Sequence, residues 1–377
     1  MPAHVAFHDG RGRRLHVIAV LTATLVAVPA ASAKEPLPDT TEAYGAVLKD
    51  WAARHKVQRA IVVVRREGRI VYRSAVGGAD PTTPVHLASL SKAITGACVA
   101  TLIRDGKLAF ETPLSASLAK FFAANGRPAD PRLLGVTVAQ LLTHRAGFAG
   151  NPDHGDLVTG PNLAAYLRVN SAKEPAKPAL LATAFKTKLL YAPGTKNSYS
   201  NTGYLALGAI IEEATGKPYL DYCRGAVLAP VGVTGDMEPA WRVLGSFGGW
   251  RMSGDAYLPI LDLFAANDQR LGSVAKAWML TPEGKGVAAD NPVWYGLGTS
   301  VRKVDGGVNV WHWGSWRYNM TNAKDGVLRS DFATFAVRAS DGTGWFVQAT
   351  PRIDQGAPRQ ELDRGLFEAY RAVKRWN

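Results

Sequence analysis

Two cysteines among 377 residues are too few for a disulfide-built scaffold. No Cys/His cluster has the spacing of a zinc site, and no metal is expected. Cys98 lies in the apolar stretch Ala97-Cys98-Val99-Ala100 and reads as a small buried hydrophobe. Whether it meets Cys223 is left open by the sequence. Long apolar runs are scarce as well. Beyond the first thirty or so residues, no segment approaches the roughly 20 apolar residues of a membrane span. The mature chain is therefore expected to have no transmembrane segment. Blocks of Lys and Arg with interleaved aromatics are missing, which argues against nucleic acid as a partner. There is no internal repeat and no low-complexity tract, which sets aside solenoids and disordered linkers.

What remains is an ordinary globular composition, 47% hydrophobic and 20% charged. The formal charge of +13 falls to +11 without residues 1–33, a balance that suits anionic surfaces such as wall polymers or lipid head groups. Those first residues read as a secretory signal peptide. Arg11, Arg13 and Arg14 precede the apolar run Leu15–Ala30, and Ala31-Ser32-Ala33 supplies small residues for cleavage. An uncleaved anchor is the alternative. The expected location is periplasmic or secreted, with a monomer as the expected oligomeric state.

Glu42–His55 carries apolar residues at helical spacing (Tyr44, Val47, Leu48, Trp51). Ala60–Arg65 and Ile70–Ser74 are β-rich runs joined at Glu67-Gly68. Ser89 opens a long apolar helix that runs through Ile103 and ends at Asp105-Gly106. From Leu108 to Asn291 the pattern is helical and loop-rich, with a long loop over Asn151–Pro178 and an amphipathic helix over Thr202–Ala214, closed by Gly216 and Pro218. Tyr295–Val301, Val308–Trp313, Phe332–Val337 and Trp345–Ala349 read as strands, and Gln360–Trp376 as a helix. Strands at both ends with helices between predict an α/β fold of the α+β type. An antiparallel sheet subdomain (about 42–85 plus 292–377) would be flanked by helices, with a mostly helical region inserted (about 86–291), all within one hydrolase domain over 34–377.

Three short motifs carry chemistry. Ser89-Leu90-Ser91-Lys92 places an amine one helical turn from a hydroxyl. A lysine whose charge is disfavoured by burial can take that hydroxyl's proton and make it a nucleophile. Ser117-Leu118-Ala119-Lys120 has the same spacing but follows Pro113 in a short amphipathic stretch, so context favours Ser89. Tyr199-Ser200-Asn201 offers a phenol for proton exchange and an amide to hold substrate and lysine. His312-Trp313-Gly314 ends a β-run, where glycine permits close approach and histidine assists electrostatically. On that strand Trp311 and Trp313 share the face opposite His312.

In order and spacing the three motifs resemble the penicillin-recognising serine hydrolases: class C β-lactamases, D,D-peptidases and related esterases. Leu141-Leu142-Thr143-His144-Arg145-Ala146-Gly147-Phe148, Tyr191-Ala192-Pro193-Gly194, Gly248-Gly249-Trp250 with Asp255, and Tyr295-Gly296-Leu297-Gly298 also look like segments of that family. The likeness spans roughly Ala60 to Trp316. It implies the β-lactamase/transpeptidase-like fold and an acyl-enzyme on Ser89, with Lys92 and Tyr199 sharing the proton work. Asn201 would position substrate and Lys92, His312 would assist, and the backbone N–H groups of Ser89 and Ser315 would form the oxyanion hole. Trp313, Gly314 and Arg317 complete the expected substrate and oxyanion residues. No cofactor is implied. The implied substrate is a small ester, a D-amino-acid amide or a peptidoglycan-like peptide. A class C-like β-lactamase and a catalytically silent wall-binding protein are the alternatives. The chain departs from the family in having His312 where many β-lactamases have lysine, and in lacking K-T-G. A neutral histidine leaves the site poor in fixed positive charge unless Arg317 replaces it. The aromatic bulk around the motif is open to two readings, core packing and substrate contact; were Trp316 or Trp250 to line the cleft, an apolar acyl or aromatic group would fit it better than a fused polar ring system.

Overall fold

The computed structural model describes residues 36–150, 156, 158, 163, 176–287, 291–322, 326–353 and 355–376. The expected signal peptide and most of the Asn151–Pro178 loop lie outside them. The chain begins with helix α1 (Glu42–Arg54), followed by strands β1 (Arg59–Arg66) and β2 (Arg69–Val76). The short β3 (Val85–His86) leads to a 3-10 turn, Ala88–Leu90, that runs into α2 (Ser91–Arg104). The helical region continues through α3 (Asn201–Thr215) and α4 (Tyr219–Cys223), with β4 (Arg251–Met252) pairing back to β3. The remaining strands are β5 (Val293–Gly296), β6 (Thr299–Val304), β7 (Gly307–Asn322), β8 (Gly326–Arg338) and β9 (Gly344–Thr350), and α5 (Ala357–Ala372) closes the fold.

Seven strands form one antiparallel sheet in the order β2-β1-β9-β8-β7-β6-β5. The two ends of the chain thus meet in its middle, at β1 beside β9. Both faces of β1 are covered. Ile61 and Val63 face the core shared with α2 and α3, while Ala60, Val62 and Val64 face the layer of α1 and α5. That two-sided burial is why Ala60–Val64 is an unbroken apolar run rather than an alternating one. In α1, Tyr44, Val47, Leu48 and Trp51 are buried, the stripe that the spacing predicts. Helix α2 is buried on every side from Ser91 to Ile103, the expected surroundings of a helix that is apolar all round.

Tyr295–Val301, expected as one strand, is a hairpin. Leu297 and Gly298 both have positive φ, 50° and 82°, and form the two-residue turn between β5 and β6. The turn is pressed onto α2. A Cβ on Gly298 would lie 1.9 Å from the Lys92 carbonyl oxygen, and one on Gly96 would lie 2.0 Å from that of Leu297. Two glycines therefore let the hairpin and the helix touch backbone to backbone. β7 and β8 extend well past the strands expected at Val308–Trp313 and Phe332–Val337. β6 pairs with β7 only as far as Trp311, so the following residues of β7 have no strand partner on that side.

Cys98 is not merely a small hydrophobe: it forms a disulfide with Cys223, tying α2 to α4 across 125 residues of sequence. A cross-link over a loop of this length restrains the unfolded chain by about 3–5 kcal/mol. We expect the denatured protein to present no reactive thiol without reductant. The Cys98→Ala/Cys223→Ala double variant should lose about 2–4 kcal/mol in chemical denaturation. Two titratable thiols in the unreduced denatured protein would rule the cross-link out.

Candidate active site

The site forms where the N-terminus of α2, the loop before α3 and the free edge of β7 converge. Ser89 sits in the turn entering α2, half-exposed, after Ala88, which holds a left-handed φ of 47°. A non-glycine residue there costs about 1–3 kcal/mol and is held by its surroundings. Those surroundings include β7. A Cβ on Gly314 would lie 2.6 Å from the Leu87 carbonyl oxygen and 3.1 Å from the Ser89 nitrogen. The glycine of the third motif is thus the point where the nucleophile turn rests on the strand.

Lys92 is fully buried. Its Nζ lies 3.0 Å from Ser89 Oγ, 2.6 Å from Asn201 Oδ1 and 3.0 Å from the Phe247 carbonyl oxygen. Two of these three partners can only accept. A neutral amine has two N–H donors and one lone pair, so with those donors committed the lone pair faces the Ser89 hydroxyl. A protonated amine finds three acceptors in the same places. The proton can therefore pass between Oγ and Nζ without rearrangement. Burial holds the pKa of Lys92 well below its ordinary value, opposed by the charge of Asp156.

Tyr199 hydrogen-bonds Ser89, and its ring centroid is 4.8 Å from Lys92 Nζ. Burial pushes its phenol up, so the group stands protonated and suits proton delivery rather than the role of resting base. The loop carrying it is pinned by His144: Ser198 N–H donates to the His144 carbonyl (2.8 Å) and Ser200 N–H to its ring Nδ1 (3.1 Å). The ring of His144 stacks 4.2 Å from that of Tyr199. Beneath the loop the buried carboxylate of Asp156 accepts from Asn201 N–H at 2.7 Å.

His312 is buried and points at the site from β7. Its Nδ1 lies 2.5 Å from the Trp313 carbonyl and its Nε2 lies 2.8 Å from the Tyr295 hydroxyl. The carbonyl can only accept, so Nδ1 carries a hydrogen, and with the ring held neutral by burial Nε2 is left to accept from the phenol. Burial and the nearby Lys92 push its pKa down to about 3.

Ser89, Tyr199, Asn201 and His312 line a cleft of about 520 Å³ together with Ser315, Trp316, Arg352 and Arg359, with Lys92 buried behind them. Ser89 and Ser315, the expected oxyanion pair, both border it. Trp313 also borders it, although its ring stacks on Phe335 at 3.9 Å. One expectation needs correction and one open reading closes. Arg317 is not among the cleft residues; its Nε pairs with Asp331 (3.2 Å) and its Nη2 donates to the Arg352 carbonyl (2.8 Å). Trp250 is a core residue whose indole donates to the Tyr219 hydroxyl at 3.0 Å. Fixed positive charge comes instead from Arg352 and Arg359, at the junction of β9 and α5, where no motif marked them. Ser117 lies away from the cleft and hydrogen-bonds the Pro113 carbonyl. Among the described residues, no group of three His, Cys, Asp or Glu side chains could hold a metal ion.

A serine with a buried lysine as base and a phenol as proton donor is the equipment of a serine acyl-transfer site. The fold is that of the β-lactamase/transpeptidase class. The beta-lactamase family profile matches residues 39–242, and the chain belongs to that family. The esterase EstB of Burkholderia gladioli is 30% identical over 205 residues, 50% of this chain and 49% of that protein. The matches to this and other curated relatives span from 29% to 51% of those proteins. A D-stereospecific amidohydrolase from Streptomyces sp. shares the fold with a TM-score of 0.67 at 18% identity, over 87% of this chain and 98% of that one. The D-amino acid amidase of Ochrobactrum anthropi SV3 does so with a TM-score of 0.63 at 16% identity, over 88% of this chain and 100% of that one.

The neutral imidazole has a measurable consequence. A folded pKa held below the unfolded value of about 6.5 means stability that is present above pH 6.5 and lost as pH falls toward the folded pKa. For His312 that window runs down to about 3. Its contribution is a slope of about 1.4 kcal/mol per pH unit. We expect His312→Gln to flatten the stability–pH curve between pH 6 and 4 in urea denaturation. An unchanged slope would mean that the imidazole is already charged in the folded protein.

Proposed function

We propose that this chain is an exported serine hydrolase that forms an acyl-enzyme on Ser89 and acts on small esters or D-configured peptides. The observation that carries the reading is the 3.0 Å contact between Ser89 Oγ and a buried Lys92 whose other hydrogen bonds go to Asn201 and Phe247. Ser89 attacks the carbonyl carbon as its proton moves to Lys92. The tetrahedral oxyanion faces the backbone N–H groups of Ser89 and Ser315, each such donor stabilising it by about 3 kcal/mol. Lys92, through Tyr199, returns the proton to the leaving oxygen or nitrogen, and water releases the acyl group. Export rests on the basic, apolar and small-residue segments of residues 11–33.

Charge in the cleft narrows the substrate. Among the described residues lining it are two arginines and no Asp or Glu. The free ammonium of a simple D-amino acid amide would meet guanidinium groups there. A peptide or ester that ends in a carboxylate would meet partners suited to bind it, at about 1.5–3 kcal/mol for a charged hydrogen bond. Arg352 and Arg359 thereby remove the charge argument against β-lactams, which also carry a carboxylate. β-Lactam hydrolysis is accordingly the second reading.

The test is a panel of catalytic efficiencies on one preparation. It holds an N-acylated D-Ala-D-Ala peptide, its C-terminal amide, D-alaninamide, a nitrophenyl ester and a chromogenic cephalosporin. We expect the free-carboxylate peptide to exceed both amides by at least about tenfold, with Arg352→Gln erasing the difference mainly through KM. Fastest turnover of D-alaninamide would overturn the charge argument. A cephalosporin efficiency above those of peptide and ester would make the second reading the first.

A further inference from the structure

We propose that Asp156 is the counter-charge and positioning residue of the Lys92 centre, acting through Asn201. The inference rests on the serine hydrolase reading and adds to it a residue outside the three motifs.

Asp156 is buried under the Tyr199–Asn201 loop. Its Oδ2 accepts from Asn201 N–H at 2.7 Å and from Ser200 Oγ at 3.3 Å. Its Oδ1 accepts from Thr202 Oγ1 at 2.8 Å and from Val158 N–H at 3.1 Å. Four donors converging on one side chain call for two oxygens with no hydrogen; an amide would turn its NH2 against some of them. The carboxylate also sits at the N-terminus of α3, a helix of 15 residues whose own N-cap, Ser200, makes no side-chain capping bond. Negative charge is favoured at such an end.

Capping alone would be a structural role. What links Asp156 to the chemistry is Asn201, which faces both ways. Its backbone N–H donates to Asp156, while its side-chain Oδ1 accepts a hydrogen bond from Lys92 Nζ at 2.6 Å. The hydrogen bonds thus run from Asp156 through Asn201 to Lys92 and Ser89. Among the described residues no carboxylate hydrogen-bonds Lys92 directly: its partners are a hydroxyl, an amide oxygen and a backbone carbonyl. Other titratable groups face it from each packed element. They are His144 from the segment before the loop, Tyr199 and Tyr204 from the loop and α3, and His312 from β7. Burial keeps both imidazoles neutral and both phenols protonated, so none supplies negative charge. Burial pushes the Asp156 acid up, while its hydrogen bonds from Thr202, Asn201 and Val158 and the nearby Lys92 favour the ionised carboxylate, whose field in turn raises the proton affinity of Lys92. Without that field, burial would hold Lys92 neutral to lower pH, as a weaker base.

The test is the pH dependence of kcat/KM for the best panel substrate, alongside the pH dependence of Ser89 inactivation by a fluorophosphonate. Activity needs neutral Lys92, so the acid limb of each profile reports its protonation. In Asp156→Asn we expect that limb to move at least 0.5 pH unit downward. Plateau kcat should fall at least tenfold with KM within threefold. Asp156→Glu keeps the charge and should keep the limb within 0.3 unit of wild type. Thr202→Val removes a hydrogen bond from the carboxylate but no charge, and should also leave the limb in place. An acid limb unmoved in Asp156→Asn, even with a lower plateau, would make Asp156 a helix cap only and overturn the proposal. If Asp156→Asn does not fold, a limb shifted in Asp156→Glu would overturn it equally. A wild-type protein that is neither labelled nor active would instead refute the serine hydrolase reading itself.

Discussion

An amine removed from water and surrounded by fixed acceptors is the constraint on which this structure turns. Desolvating a lysine costs several kcal/mol unless it is compensated. The fold supplies compensation from separate parts of the chain: Ser89 one turn away, Asn201 at the start of α3, and the Phe247 carbonyl. Each contact is possible only because larger elements are in register. α2 is buried all round. The β5–β6 turn lies against its backbone through Gly96 and Gly298. Moving any one of these would leave a buried charge or a buried donor unpaired, the costliest kind of packing error.

The sheet contributes less charge and more geometry than the motifs imply. Gly314 lets the nucleophile turn rest on β7, and the early end of β6 leaves that edge open where the cleft forms. His312 is held neutral by Tyr295 and the Trp313 carbonyl. It therefore acts as a fixed hydrogen-bonding group, whereas a lysine there would place a second ammonium near Lys92. The guanidinium groups of Arg352 and Arg359 put positive charge farther along the cleft, where it can bind a substrate anion.

Much of this was legible in the sequence, and what was not has physical reasons. Ser89, Lys92, Tyr199 and Asn201 were visible because helical spacing and a loop-to-helix junction are local patterns. The rival Ser117 could be set aside by its context. The Tyr295–Val301 stretch looked like one strand because its composition is β-rich; positive φ at Leu297 leaves no local signature. The Cys98–Cys223 bond joins residues 125 apart, and no spacing rule reaches across that distance. Proximity to the third motif pointed to Arg317, but Asp331 lies opposite it on β8 and pairs with it, and the charge in the cleft belongs to Arg352 and Arg359. Trp250, open between core and cleft from the sequence, belongs to the core, where the Tyr219 hydroxyl gives its indole a buried partner. Asp156 had no motif at all. Its importance comes from four donors that only the folded loop assembles.

The central claim is that the buried Lys92 makes Ser89, and no other serine, a nucleophile. Mass spectrometry with peptide mapping after exposure to a fluorophosphonate tests it most directly. The account predicts one adduct per chain, on the peptide containing Ser89, absent in Ser89→Ala and formed far more slowly in Lys92→Met. An adduct on Ser117, labelling that survives Ser89→Ala, or no adduct on the folded wild-type protein would contradict it.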